Sequence, residues 1–292
     1  MENKTDSIDN TTAQGKIYQM ITDRILSLLE QGTIPWHKPW NGGGSPKNLI
    51  SKKNYRGINN FLLSCAPYKS PYFLTFNQIK EKGGTVRKGE KGLPVIFWKP
   101  LEYKDKETEK TKKIFMLKYY TVFNAEQCDN IKTPESEETP LDFNPIAECE
   151  SILNNMPQRP VVEYGGKGAC YQPSTDKITM PDQQSFKNEE EFYSTLFHEI
   201  IHSTGHQSRV NREGVTTPHF FGSHEYSKEE LVAEFGASFL CGNAGIENRI
   251  IDNSAAYIQS WSKKLRDNNK WLICAASQAQ KAADFVLGIT EE

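Results

Sequence analysis

The pentapeptide His198-Glu199-Ile200-Ile201-His202 constrains this chain more than any other feature, because its chemistry requires a helix. Residues four apart lie on one face of a helix, so the two imidazoles can bind a single Zn²⁺. Glu199 follows His198 on the helix, so its carboxylate can reach a metal-bound water and act as the general base. The pattern predicts a zinc hydrolase site with His198 and His202 as ligands and Glu199 as the catalytic residue.

The flanking residues favour a helix around this motif. Asn188 is a candidate N-cap with Glu191 three residues later, and Gly205 is a candidate stop signal. Apolar residues recur with helical spacing at Phe192, Leu196, Ile200 and Ile201. A simpler alternative stays open at this point, in which the polar residues of the pentapeptide only lie along an exposed helix face.

A second predicted helix begins near Ser227 and carries Glu230 and Glu234 on one face. Catalytic zinc takes three protein ligands, so an acid on a neighbouring helix would complete the site. Glu230-x-x-x-Glu234 resembles the acidic helix of the gluzincin peptidases, in which the first acid binds metal and the second holds a ligand histidine. The resemblance implies Glu230 as third ligand, with Glu234 as orienting residue or alternative ligand. A capping box from Ser227 to Glu230 is the competing interpretation.

The net charge of −2 conceals two halves of opposite sign. Residues 1–130 carry 21 Lys and Arg against 13 Asp and Glu, whereas the remainder carries 14 against 24. The stretch from Trp36 to Lys118 alone holds 18 basic and 6 acidic residues. Such a charge excess indicates a module that binds a polyanion.

Composition excludes several other classes of protein. The chain is 37% hydrophobic and 25% charged, which is typical of a soluble protein with ample core. No membrane span and no signal or transit peptide is expected, so the predicted location is cytoplasmic. Its six cysteines lack any C-x-x-C spacing, which argues against a cysteine zinc ribbon and a disulfide scaffold.

Periodicity and turn signals predict an α+β protein of two domains. A small basic domain spans residues 15–130, a polar acidic linker 131–140, and a second domain with the HExxH helix 141–292. The predicted helices are 16–31, 75–82, 146–156, 188–204, 227–240, 255–267 and 271–287, and the predicted strands are 94–98, 115–123, 161–164, 170–173 and 176–181.

Aromatic residues interleave with basic ones in the first domain. Single-stranded nucleic acid is held by this combination, since cations track phosphates while rings stack unpaired bases. The opposing interpretation is that the rings belong to a core and the lysines only face solvent. The hairpin from Lys104 to Lys113 mixes both signs and is interpreted as solvated. The candidate contact residues are Trp36, Lys38, Trp40, Lys52, Lys53, Tyr55, Arg56, Tyr72, Arg87, Lys88 and Lys91.

Several motifs in order give the chain a more specific resemblance. They are Pro35-Trp36-x-x-Pro39-Trp40, Asn54 to Asn59, Arg87 to Gly92, Val122-Phe123-Asn124, Tyr171-x-Pro173-x-x-Asp176, the extended His198 to His206 motif and Glu229 to Glu234. With them, residues 15–288 resemble the ArdC-type antirestriction proteins of conjugative elements. The resemblance implies an N-terminal single-stranded-DNA-binding domain and a C-terminal zincin-like metallopeptidase domain.

That resemblance further implies protection of incoming plasmid DNA from host restriction, with a protein substrate that the sequence does not name, such as a restriction or DNA-processing protein. Two other functions are weighed against it. One is a non-enzymatic DNA-binding protein with a structural or vestigial zinc. The other is a primase, because similar N-terminal domains occur fused to primases, but no convincing cluster of paired acids for two-metal phosphoryl transfer is present. Tyr226, His219 and His224 are weaker candidates for oxyanion donors.

Overall fold

The computed structural model describes residues 12–30, 45–104, 111–134, 145–216, 224–246, 261–266 and 268–290. Helices and sheets occur in both halves, which confirms the α+β class. Three predicted nucleic-acid contacts, Trp36, Lys38 and Trp40, lie outside the described residues, as does most of the predicted linker. None of the helices within the described ranges combines the length and hydrophobicity that a bilayer crossing requires.

The first half is built on a four-stranded sheet of order β1-β2-β5-β4. Its elements are α1 (Ala13–Glu30), β1 (Lys47–Asn48), α2 (Gly57–Ser64), β2 (Tyr72–Thr75), α3 (Phe76–Glu81), β3 (Thr85–Val86), β4 (Leu93–Lys104), β5 (Thr111–Asn124) and β6 (Cys128–Asp129). Strands β4 and β5 pair antiparallel from Leu93↔Val122 to Lys104↔Thr111. Because β2 meets only the last residues of β5, the rest of the β4–β5 pair forms a two-stranded arm.

This arm extends beyond the predicted strands 94–98 and 115–123. Proline lacks the N–H that a ladder needs, so Pro100 is not compatible with a central strand. Strand β4 lies at the sheet edge, where a proline is tolerated. Asn59 of α2 covers part of that edge, since its side chain accepts from the Ile96 amide at 2.7 Å and donates to the Ile96 carbonyl at 2.6 Å.

The second half combines a small sheet with several helices. Its elements are α4 (Pro145–Asn155), β7 (Val161–Tyr164), β8 (Cys170–Gln172), β9 (Lys177–Met180), α5 (Glu189–Thr204), α6 (Glu213–Thr216), α7 (His224–Ala244), α8 (helical residues 261–266) and α9 (Trp271–Val286). Strand β9 pairs parallel with β7 and antiparallel with β8, in the order β7-β9-β8. Strand β8 is therefore an edge strand, and it faces the cleft described below.

One hydrophobic cluster spans both halves. It joins α1 and α2 to α5, α7 and α9, and Phe61 of α2 packs on Phe235 of α7 with ring centroids 4.2 Å apart. Polar contacts reinforce this packing, since Arg56 pairs with Asp284 and the Gly57 amide donates to the Gln280 side chain at 2.8 Å. Domain boundaries at 15–130 and 141–292 stay a prediction, and a fragment ending near residue 130 would expose this shared core.

Candidate metal centre

Helix α5 begins and ends as its sequence predicts. Asn188 accepts a hydrogen bond from the Glu191 amide at 2.8 Å, which satisfies an N–H of the first turn. At the other end, Arg209 donates to the Ser203 carbonyl at 3.0 Å and Arg212 to the Ile201 carbonyl at 2.8 Å. Cations are favourable at a helix C-terminus, so both arginines stabilise the end of the helix that carries the histidines.

Helix α7 begins three residues earlier than predicted, at His224. Ser227 therefore lies inside the helix, and the capping box from Ser227 to Glu230 is wrong because a helical residue is not an N-cap. Helices α5 and α7 approach closely at Gly236, where an added Cβ would lie 2.7–2.8 Å from three side-chain atoms of Ile201. This close approach sets Glu230 against the histidine face of α5.

His198, His202 and Glu230 come together as the sequence predicts, with one ligand atom of each within 4.8 Å of the others. The two Nε2 atoms are 3.1 Å apart, and the Glu230 oxygens lie 3.5 Å from His198 Nε2 and 3.6 Å from His202 Nε2. Tetrahedral ligation at the usual 2.0–2.2 Å requires donor atoms about 3.3–3.6 Å apart. The three donors thus fit a divalent metal ion, and Glu230 rather than Glu234 belongs to this group.

Charge around the three donors also favours a cation. Burial lowers the pKa of His198, but a hydrogen bond that it donates to Glu230 and the charges of Glu234, Glu199 and Glu230 raise it to about 9. Burial raises the pKa of Glu230, but His198 and His202 outweigh burial and lower it to about 2. Several buried carboxylates therefore stabilise positive charge at this point, as a metal site requires.

Glu229, which the sequence did not single out, holds one of the histidines. Its Oε1 lies 3.3 Å from Nδ1 of His202, and Arg212 bonds both carboxylate oxygens, with Nε–Oε2 at 3.1 Å and Nη2–Oε1 at 2.5 Å. Burial raises the pKa of Glu229, but His202 and Arg212 leave it below its usual value. An ionised carboxylate on Nδ1 keeps the N–H there and turns the Nε2 lone pair toward the metal position.

Fewer contacts support the prediction that Glu234 orients a ligand histidine. Its side chain is 2% exposed, and its charge is among the causes that raise the pKa of His198. However, Nδ1 of His198 has no hydrogen-bond partner among the described residues. Glu234 as the residue that orients a ligand histidine stays a prediction, whereas Glu229 makes the corresponding contact with His202.

The donors open onto a cleft of about 880 Å³ between the helices and strand β8. Glu199 lines this cleft together with Tyr226, whose hydroxyl hydrogen-bonds Glu230. His206 also reaches the cleft, but its Nδ1 bonds the Ser208 hydroxyl at 2.8 Å and it is not one of the three donors. His219 and the side chain of His224 lie outside the described residues.

A polar chain ties the wall of the cleft to helix α5. Tyr171 of β8 donates to Asp176 at 2.9 Å, and Asp176 accepts two hydrogen bonds of 2.8 Å from Arg209. Arg209 in turn bonds the Ser203 carbonyl at the end of α5. The spacing Tyr171-x-Pro173-x-x-Asp176 therefore serves a structural role beside the metal site.

The described nucleic-acid candidates differ in their surroundings. Lys52 lies 5.0 Å from the Tyr72 ring centroid, which is a cation–π contact. Tyr55 packs edge-on against Phe73 at 6.3 Å and is half-buried. Lys53, Lys88 and Lys91 are exposed.

Both arginines among these candidates already have protein partners. Arg56 pairs with Asp284, and Arg87 donates to the Glu126 carbonyl and lies 3.5 Å from Glu90. The structure thus brings the metal ligands together, whereas the nucleic-acid contacts stay a prediction.

Each half of the chain matches the model of a known protein family. Residues 15–123 match the model for the N-terminal domain of anti-restriction factor ArdC. Residues 147–278 match the model for a zincin-like metallopeptidase. The zincin-like domain and the His-His-Glu group together indicate a divalent metal site.

Curated relatives include proteins of very different length. Two Escherichia coli proteins named DNA primase TraC are 33% and 34% identical over 97% and 94% of this chain, but the chain spans only 21% and 27% of theirs. The Sinorhizobium fredii protein y4eC is 30% identical, and the match covers 92% of this chain and 91% of y4eC.

Two solved structures are similar to this chain over almost its whole length. The metal-free antirestriction protein ArdC of plasmid R388 is 38% identical, with a TM-score of 0.74 over 92% of this chain and 96% of ArdC. Its Mn(II)-bound structure is 35% identical in the aligned part, with a TM-score of 0.73 over 94% and 97%. With both domain models matched and a full-length structural relative, the chain belongs to the ArdC-type antirestriction protein family.

Proposed function

We propose that this chain binds single-stranded DNA through its first half and hydrolyses a protein substrate at a zinc site in its second. Together these activities would protect incoming DNA of a mobile element from host restriction. The observation that carries the peptidase part is the convergence of His198, His202 and Glu230 beside Glu199 in an open cleft of a zincin-like domain. The cytoplasm, where incoming DNA meets restriction enzymes, is the proposed location.

The residues of the cleft have distinct roles in this proposal. His198, His202 and Glu230 would hold the ion, which lowers the pKa of water to about 7 and polarises a carbonyl when bound. Glu199 accepts the proton of the attacking water and passes it to the leaving amine. Glu229 and Arg212 hold His202 in the orientation that this chemistry needs.

Zinc is the proposed metal because of the donor set. Two imidazoles and one carboxylate with an open fourth position are typical of catalytic zinc. R388 ArdC has been solved in a Mn(II)-bound form, so a relative of this chain accepts another divalent ion. Generic N and O sites bind zinc more tightly than manganese, and metal competition on the purified chain tests this preference.

Metal content provides the first test of the site. The purified chain should bind one divalent ion per molecule, with zinc displacing manganese in competition. Replacing both His198 and His202 by Ala should abolish binding, whereas replacing His206, which lies outside the donor group, should not. Stoichiometric metal in the double variant, measured by elemental analysis, would refute the site.

The role of hydrolysis needs a separate test. Glu199→Gln keeps the size of the side chain and removes the general base, so it should retain the metal and DNA binding. Substrate cleavage should fall to background, together with protection of incoming DNA in a transformation assay against a restricting host. Full protection by this variant would favour the alternative function, in which the chain shields DNA by occupancy alone and the metal is structural or vestigial.

The substrate can be sought with the same variant. Incubating cellular proteins with the full chain, with and without single-stranded DNA, should yield cleavage products that the Glu199→Gln chain does not produce. Restriction subunits and DNA-processing proteins are the expected substrates under this proposal. Products that are identical for both chains would contradict a peptidase function.

A further inference from the structure

The β4–β5 arm carries an unusual concentration of exposed aromatic side chains. Its strands contain seven aromatic residues, and among the described residues of the arm Trp98, Tyr119 and Tyr120 are 45%, 51% and 56% exposed. Met116 on the same arm is 43% exposed. Alternation along the strands sets Tyr120 and Met116 on one face of the arm and Trp98 and Tyr119 on the other. Apolar groups of this size gain free energy from burial, so each face carries exposed surface that a partner would cover.

The two ends of the arm differ in how they are packed. Near the body of the protein, Leu93, Val95 and Val122 are buried in a cluster with Phe73 and the end of α2. On the same face, Tyr120 lies opposite Val95 and Phe97 lies two residues farther along β4, and no such cluster covers Phe97 or Tyr120 among the described residues. The fold therefore accounts for the apolar residues of this cluster but not for these two aromatic rings.

The outer part of this face has a defined geometry. The rings of Phe97 and Tyr120 are stacked with centroids 4.5 Å apart and an interplanar angle of 2°. Residues opposite each other in an antiparallel pair share a face, and the pairing sets Lys118 opposite Phe97 and Lys99 opposite Met116. Two exposed lysines thus flank a ring stack that is supported from one side and open on the other.

Charge on the arm has a single predominant sign. The residues of β4 and β5 include five lysines and one glutamate. A protein partner would need a matching acidic surface, whereas the phosphates of nucleic acid supply negative charge at every nucleotide. Aromatic rings recognise unpaired bases without regard to sequence, because every base has a π-face, but they do not reach bases that are stacked within a duplex.

We infer that unpaired bases of single-stranded DNA stack on this face of the arm, against Tyr120 and Phe97, while Lys118 and Lys99 bind the adjoining phosphates. This inference rests on the proposed function, because it assigns the surface that binds the DNA. It differs from the contacts predicted from sequence, none of which lies on β4 or β5.

Aromatic variants of the full chain test the stacking directly. Binding of a labelled 20-nucleotide oligothymidylate is followed by fluorescence anisotropy, alongside a duplex of equal length. Loss of one stacking ring costs about 1–3 kcal/mol, so Tyr120→Ala should weaken single-strand binding by about 5-fold to 150-fold. Tyr120→Phe keeps the ring and should bind like the original chain. Tyr164→Ala removes a ring that is 55% exposed on β7, and it is the matched control that should change nothing.

Salt dependence tests the lysines. Each phosphate contact on a single strand contributes about 0.7 to the slope of log K against log salt concentration. Lys118→Gln should therefore reduce that slope by about 0.7. Lys167→Gln, which removes an exposed lysine from the second half, should leave the slope unchanged. Metal content and circular dichroism of each variant show that the fold is intact.

The outcomes separate this inference from the proposal on which it rests. If the original chain binds single-stranded DNA and both Tyr120→Ala and Lys118→Gln bind equally well, the DNA lies elsewhere and the arm is left as a protein-docking surface. If the original chain does not bind single-stranded DNA, the DNA part of the proposed function fails first. If the arm variants bind single-stranded DNA more weakly and the two control variants bind it normally, the result supports the inference about the arm and the DNA part of the proposed function.

Discussion

The metal centre and the β4–β5 arm show two ways in which a sequence encodes chemistry. At the metal centre, three donors converge within 4.8 Å, and buried side chains hold them. On the arm, exposed rings and lysines are spread along two strands, and the described contacts that orient them are the strand pairing and the Phe97–Tyr120 ring stack. The first site depends on fixed angles and distances, whereas the second depends on which surface the fold leaves uncovered.

This difference determines how each site responds to substitution. Removing one donor from a three-donor site leaves the ion without a complete coordination shell, so the loss is large and localised. A stacking and phosphate-binding surface distributes its free energy over several weak contacts, so single substitutions have graded effects. The following predictions test this contrast, from the largest expected effect to the smallest.

Glu230→Ala should have the largest effect on the metal centre. Zinc binding to protein sites is worth about 10–16 kcal/mol, shared among few ligands, so losing one should reduce affinity on the order of a thousandfold. Glu234→Ala should cost no more than the roughly 10–100-fold loss expected for a residue that only orients a ligand. Competition against a chelator measures both.

The relative metal affinities of these two variants show which carboxylate is the third ligand. A Glu234 variant that loses its metal while the Glu230 variant keeps it would show that the geometry of the described site does not reflect the metal-loaded protein. Equal, small losses would indicate that neither acid is a ligand and that the two histidines bind metal without them.

Arg212→Met should destabilise the fold as well as the site. The Arg212 side chain is 5% exposed and pairs with Glu229, which is 8% exposed. Removing one partner of a buried ion pair costs about 3–5 kcal/mol, because the other charge stays buried without compensation. Denaturant unfolding of the metal-free chain measures this loss.

A double variant separates stability from positioning. Arg212→Met combined with Glu229→Gln removes both charges, so the free energy of unfolding should largely recover. Metal affinity should stay about 10–100-fold reduced, because the glutamine amide no longer holds Nδ1 of His202 as a carboxylate does. Full recovery of both quantities would mean that the pair is only structural.

The sequence predicted those parts of the site that depend on local spacing. His198 and His202 share a face because they are four residues apart on a helix. The residues that cap this helix, Asn188 and Gly205, directly flank it in the sequence. Glu230 was predicted from the resemblance of Glu230-x-x-x-Glu234 to the acidic helix of the gluzincin peptidases. The Glu229–Arg212 pair was not predicted, because the arginine lies 17 residues away and approaches only after the chain has turned back at the end of α5.

The sequence did not determine which basic and aromatic side chains are available to nucleic acid. Composition showed that the first half is basic and aromatic, but it did not show which side chains the fold would bury or pair. Arg56 belongs to a motif beside an aromatic residue, yet it contacts Asp284, 228 residues away. Trp98 and Tyr120 fall in predicted strands, and only the tertiary structure shows that they are exposed.

Gly236→Ala should produce a smaller effect through the helix packing. The added methyl group would overlap Ile201, and overpacking of this kind costs about 1–3 kcal/mol. The higher helix propensity of alanine offsets about 1 kcal/mol of this loss. Helix α7 should shift relative to α5, so metal affinity should fall together with stability. Gly168→Ala is the matched control, because its added methyl group would meet no atom within 4 Å. Unchanged metal affinity in the Gly236 variant would show that the site tolerates movement of α7.

Arg56→Gln should have the smallest effect, and it sharpens the contrast between the two regions. Arg56 is 45% exposed, and Asp284 keeps a hydrogen bond of 3.0 Å from Gln280 when the arginine is lost. Asp284 is only 7% exposed but keeps Gln280, and Arg56 is half-exposed, so the free energy of unfolding should fall by about 1 kcal/mol, less than at the Arg212–Glu229 pair, in which both partners are buried. If the ion pair holds Arg56 away from DNA, the salt slope of single-strand binding should stay the same. Lys53→Gln, an exposed neighbour on the same loop, is the matched comparison and should reduce the slope by about 0.7 if it contacts a phosphate. A reduced slope in the Arg56 variant would contradict the assignment of this arginine to the contact between the two halves, and it would extend the DNA-binding surface from the arm to the start of α2.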